Sequence, residues 1–110
     1  MNWLKSLGMK QKMRKNDVMT AACARAKTSA VLYHSVIEHL GDFILPGVNE
    51  KIEDAVSRGE TEIGYRLSKE GFVWEDAATL GAYLEALGYF IIVYPEDTED
   101  ESYLVSVDWR

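Results

Sequence analysis

This 110-residue chain has one cysteine, two prolines, two histidines and no long apolar run. Cys23 has no second cysteine to pair with, which excludes an internal disulfide and a four-cysteine zinc site. No stretch approaches the roughly 18–20 apolar residues that span a bilayer. A secretory leader is not expected either, because Arg25 and Lys27 interrupt the only Ala-rich run behind the basic N-terminus. The glycines stand singly or at the ends of expected elements, so none forms a loop that cradles phosphate. His34 and His39 lie five positions apart, about 140° around a helix, and cannot jointly grip one ion there. They are read as structural or surface groups. Cys23, set among alanines, is read as a small buried hydrophobe rather than a reactive thiol. No enzyme, cofactor or metal site is expected.

What is present describes one soluble, globular domain. Apolar residues make up 47% and charged residues 27%, enough of the former for a core without metal or disulfide. The charge is divided unevenly along the chain. Residues 1–27 carry +6 and residues 28–110 carry −12, giving the net −6. Residues 1–16 form a basic arm and residues 17–110 the domain. In the arm, Lys5, Lys10, Lys12, Arg14 and Lys15 alternate with Trp3, Leu4, Leu7 and Met13. That pattern suits a solvated terminus, contact with phosphate, an anionic membrane surface, or the acidic body of a neighbouring copy. Nucleic acid is the less favoured partner, because the body's −12 outweighs the arm. Glu96, Asp97, Glu99, Asp100 and Glu101 crowd one turn but lack the glycine and spacing of a calcium loop, so a solvated hairpin tip is expected.

The expected fold is α+β: a long N-terminal helix, a short helix, then β-α-β-β with a small three-stranded mixed sheet. Asp17 serves as N-cap of a helix running to Leu40, on which Val18, Ala22, Ala26, Tyr33, Val36, Ile37 and Leu40 fall on one stripe at helical spacing. After a turn at 41–47, a helix over about 49–58 buries Ile52, Ala55 and Val56. Thr61, Ile63, Tyr65 and Leu67 alternate as one face of a strand. Glu75 and Asp76 open a helix whose Leu80, Leu84 and Leu87 are to be buried. Tyr89 to Tyr94 reads as a strand covered on both faces or at the sheet centre. Ser102 to Trp109 closes the domain as an alternating strand. A strand–helix–strand crossover makes the first two strands parallel neighbours, and the last two form a hairpin. A winged helix is rejected, since its recognition helix and wing would both be acidic.

A helix over 17–40 is about 36 Å long, whereas a compact 100-residue domain has a radius of gyration of about 13 Å. It overhangs at its Ala-rich end, where small residues allow close approach of another helix. The stripe Ala22, Ala26 and Ala30 is therefore expected to make a homo-oligomer contact.

Four pieces also resemble a pattern found in short accessory or virion-associated proteins of tailed bacteriophages. They are Ile52 to Gly59 (IEDAVSRG), Glu62 to Leu67 (EIGYRL), Leu84 to Tyr89 (LEALGY) and Val105 to Trp109 (VSVDW). The resemblance implies a viral protein in the cytoplasm of an infected host or in the virion, with phage or host protein partners, and transfers no site residue. The function expected is non-enzymatic and self-associating, through protein–protein contacts. The alternative is a nucleic-acid or signalling-nucleotide binding protein, a host-defence antagonist using the basic arm.

Overall fold

The computed structural model describes residues 18–95 and 101–110. They form an α+β fold: helix α1 (Ala21–Leu40), helix α2 (Ile44–Ser57), strand β1 (Glu62–Ser68), helix α3 (Trp74–Ala86), strand β2 (Phe90–Tyr94) and strand β3 (Ser102–Asp108). The basic arm and Asp17 lie outside the described residues.

The N-cap of α1 is Thr20, whose Oγ1 accepts the Cys23 amide at 3.2 Å. Gly41, at φ 103°, ends the helix by donating its N–H to the Ile37 carbonyl. Of the seven members of the apolar stripe only Val36 and Leu40 are buried. Val18 is 90% exposed, Tyr33 is 44% exposed, and Ala22 and Ala26 face solvent. The body meets only the C-terminal half of the helix, so the apolar stripe outruns the surface available to cover it.

Helix α2 starts five residues earlier than expected, and Pro46 sits inside it at the third helical position. The first four amides of a helix have no intrahelical partner, so a residue without an N–H fits there. Ile44, Val48 and Ala55 are buried, Ile52 packs against the core, and Val56 turns outward. Helices α2 and α3 end in the same way. Glu60 N–H bonds the Ala55 carbonyl and Gly59 N–H the Val56 carbonyl; Tyr89 N–H bonds Leu84 and Gly88 N–H bonds Glu85. Gly59 and Gly88 take φ of 77° and 110°, the conformation this double-bonded closure requires.

The sheet order is β1-β3-β2 with both pairings antiparallel. The mixed sheet is therefore corrected. Strands β1 and β2 do run in the same direction, as a helical crossover demands, but β3 lies between them. Its insertion makes seven residue pairs with β1 and five with β2, satisfying backbone on both sides. Val105 and Val107, fully buried, mark β3 as the centre. The YFIIVY segment is the other correction: β2 is an edge strand, with Ile91 and Val93 against the core and Phe90, Ile92 and Tyr94 exposed.

Helix α3 lies on β2 and β3, α2 meets β1, and α1 packs on α3. Gly81 permits the close approach of α3, since a Cβ there would stand 2.8 Å from Val93 Cγ2. The core joins Val36, Leu40, Ile44, Val48, Leu67, Ala77, Leu80, Leu84, Val105 and Val107. Leu87, expected in that stripe, is mostly exposed beyond the last turn of α3.

Candidate functional site

The titratable groups that chemistry would use are dispersed. His39 Nδ1 contacts the Ser35 carbonyl at 3.2 Å, and its Nε2 lies 3.9 Å from Glu38, both side chains well exposed. His34 stands edge-on to Tyr33, with ring centroids 5.7 Å apart. Cys23 is half-buried near the start of α1. Among the described residues, none of these three is brought within reach of a partner for nucleophilic catalysis. Among the described residues no group of three His, Cys, Asp or Glu could hold a metal ion. Of the acidic turn only Glu101 falls within the described residues, and it is exposed. Lys5, Lys10, Lys12, Arg14 and Lys15 all lie outside them.

Two of the concavities among the described residues lie against α2. The first, of about 160 Å³, opens between α2 and α3 and is lined by Leu45, Val48, Ile52, Tyr83, Leu84 and Leu87, among others. Its one titratable lining group besides Tyr89 is Tyr83, whose phenol is pushed above its ordinary range by burial and then by the neighbouring Tyr33. Small-molecule sites usually occupy about 300–1,000 Å³, so this cleft is too small for most ligands. The second, of about 240 Å³, is lined by Lys51, Asp54, Arg58, Glu60 and Glu62. Arg58 bonds both Asp54 and Glu60, and holds the Glu60 carboxyl below its usual range. Lys51 Nζ donates to the Gly64 carbonyl at 3.2 Å. An anion entering there would compete with carboxylates already in place. Ser102 Oγ is buried without a hydrogen-bond partner among the described residues.

What the fold does bring together is apolar surface. Ala22, Ala26 and Ala30 recur at four-residue spacing and are exposed on the part of α1 that holds no buried residue. Phe90, Ile92 and Tyr94 project from the outer face of β2 at 68%, 56% and 42% exposure. Leu104 of β3 lies opposite Tyr94 in register, and a Cβ on Gly64 would stand 3.1 Å from its Cδ1. Sequence reasoning missed this second surface because a continuous aromatic and β-branched run reads as buried. No helix among the described residues is long and apolar enough to cross a membrane. Comparison with protein-family models, with curated proteins and with solved structures gives no match to this chain.

Proposed function

We propose that this protein is non-enzymatic and self-associating, and that it acts through protein–protein contacts as a virion component or accessory factor of a tailed phage. The observation that carries the reading is the exposure of the first half of α1. A helix of 20 residues is about 30 Å long, yet its buried residues are Val36 and Leu40 alone, both in the last five positions. Ala22, Ala26, Ala30 and Val31 stand in solvent on the remainder. Small side chains let a second helix approach closely, and a copy of the same helix supplies a matching stripe. The phage setting is supported by the resemblance of the four pieces from Ile52 to Trp109. In the fold, two of those pieces are the glycine closures of α2 and α3, and the other two are β1 and the end of β3.

Light scattering tests the reading. The wild-type chain is expected above monomer mass, and Ala26→Glu is expected to shift it toward monomer without unfolding the domain. A wild-type monomer at high micromolar concentration overturns the proposal. Submicromolar, salt-sensitive binding of duplex DNA or RNA, lost when residues 1–16 are removed, would replace it with the nucleic-acid function, because log K falls by about 0.9 per neutralised phosphate for each decade of salt.

A further inference from the structure

The cleft between α2 and α3 has the size and lining of a seat for one aromatic side chain. Its volume of about 160 Å³ is close to the roughly 150 Å³ of an apolar protein cavity that takes up benzene. Leu45 and Ile52 of α2 and Leu87 beyond α3 give it aliphatic walls, Tyr83 and Tyr89 give it rings, and Asn49 gives it an amide. Apolar surface continues past its mouth. Leu87 is 52% exposed, as is 55% of Val56, one turn beyond Ile52 on the same face of α2.

We propose that the N-terminal arm of the same chain closes this cleft, with Trp3 seated in it and Leu4 and Leu7 along its apolar margin. The contact lies within one copy and is separate from the α1 surface of the self-association reading. Trp3 is the only aromatic residue of the arm, and Leu4 and Leu7 lie within one helical turn of it in sequence. A buried indole N–H needs an acceptor, and the Asn49 amide oxygen supplies one.

The arm is long enough to reach. Residues 1–17 lie outside the described residues, and the described chain begins at Val18. The ring of Tyr83 in the cleft lies 6.0 Å from the ring of Tyr33 on α1. From Ala21, the first residue of α1, to Tyr33 is about 18 Å at 1.5 Å per residue. The chain from Val18 to Ala21 adds at most about 10 Å, whereas the chain from Trp3 to Val18 spans up to about 50 Å when extended.

Charge selects the arm as occupant. Helices α2 and α3, the walls of the cleft, carry Glu50, Glu53, Asp54, Glu75, Asp76 and Glu85 against Lys51 alone. Lys51 is turned away to the Gly64 carbonyl, and Arg58 after α2 is taken by Asp54 and Glu60. The exposed Glu53 follows Asn49 by one turn, on the rim of the cleft. Opposite them the arm brings Lys5, Lys10, Lys12, Arg14 and Lys15 against Asp17 alone. Tethering selects the arm of the same copy. A linked segment acts at an effective concentration on the order of mM, so one anchoring ring closes a contact that separate molecules at micromolar concentration would leave open.

Paramagnetic broadening in the full chain tests this. A nitroxide is attached at Ser6→Cys in a Cys23→Ser and Ala26→Glu background, so that the α1 contact, whether or not it exists, does not enter the result. At about 0.1 mM protein, below the tethered concentration, the nitroxide is expected to broaden the amide signals of Asn49, Ile52 and Leu87 and to spare those of Ile92 and Leu104 on the outer face of the sheet. Trp3→Ser is expected to abolish that difference, and so is Leu87→Lys, which puts an ammonium in the cleft wall. If Leu87→Lys lowers the melting temperature, Trp3→Ser decides, since it leaves every described residue unaltered. Uniform broadening, broadening centred on Ile92 and Leu104, or a pattern indifferent to Trp3→Ser overturns the proposal. A second sample mixes nitroxide-bearing chains without isotope label and isotope-labelled chains without nitroxide. No broadening at the cleft is expected there, and its appearance would give the cleft to the arm of a second copy and overturn closure within one chain.

Discussion

Helices α3 and α1 are held in place by different means. Four of the 13 residues of α3 are buried, spread from Ala77 to Leu84, while two of the 20 residues of α1 are buried, both near its end. Helix α3 has a reciprocal N-terminal cap, in which Val73 N–H donates to the Asp76 carboxylate at 2.9 Å, and a glycine closure at Gly88. It is sandwiched between α1 and the sheet. The first half of α1 has the Thr20 cap and the high helix propensity of alanine, and nothing buried. Propensity alone leaves a short helix marginal in water, so that half is the part of the molecule with the most to gain from a partner.

The contrast is broken most directly by truncation. Leu80→Ala is expected to cost about 2–5 kcal/mol, because it opens a cavity in a fully buried site, whereas Val31→Ala in monomeric protein should change stability by less than about 0.5 kcal/mol. Urea unfolding of both variants in the Ala26→Glu background checks this. Comparable losses would mean that α1 around Val31 is packed as tightly as α3.

Gly81→Ala sharpens the comparison. In an exposed helix the change would gain about 1 kcal/mol of propensity. Here the new methyl group meets Val93 Cγ2 at 2.8 Å and Ile91 Cγ2 at 3.1 Å, both on side chains stiff at χ1. Overpacking costs of about 1–3 kcal/mol should outweigh the propensity, giving a net loss in thermal or chemical denaturation. A gain in stability would show that α3 sits more loosely on β2 than its contacts indicate.

The smallest expected effect lies on the body's surface. The Arg58 guanidinium holds the Glu60 carboxyl below its usual range, first through a hydrogen bond and then through charge. A carboxyl whose folded pKa is depressed contributes stability above its unfolded pKa of about 4.3, and that contribution is lost as pH falls through the lower folded value. Arg58→Gln should therefore flatten the acid-side fall of the urea midpoint between about pH 5 and pH 3. The pair is fully exposed, so the change should be slight. An unchanged pH profile would remove any stabilising role for the pair.

Local rules reached a good part of this fold from the residues alone. The glycine stops at Gly41, Gly59 and Gly88, the alternation of β1 and β3, and the acidic opening of α3 are each set by backbone conformation, side-chain period or dipole within a few neighbours. The class, α+β, and the exposed Ala22–Ala26–Ala30 stripe follow from the same short-range chemistry. Position in the sheet does not. Whether FIIVY is central or at an edge depends on where β3 inserts, and pairing on both sides of β3 is a property of the whole sheet rather than of any one strand. The extent of burial along α1 is equally non-local: its stripe is apolar from Val18 to Leu40, but the body underneath reaches only the last part of it. Periodicity determines which side of an element prefers to be covered, and only the tertiary structure decides whether there is enough surface to cover it.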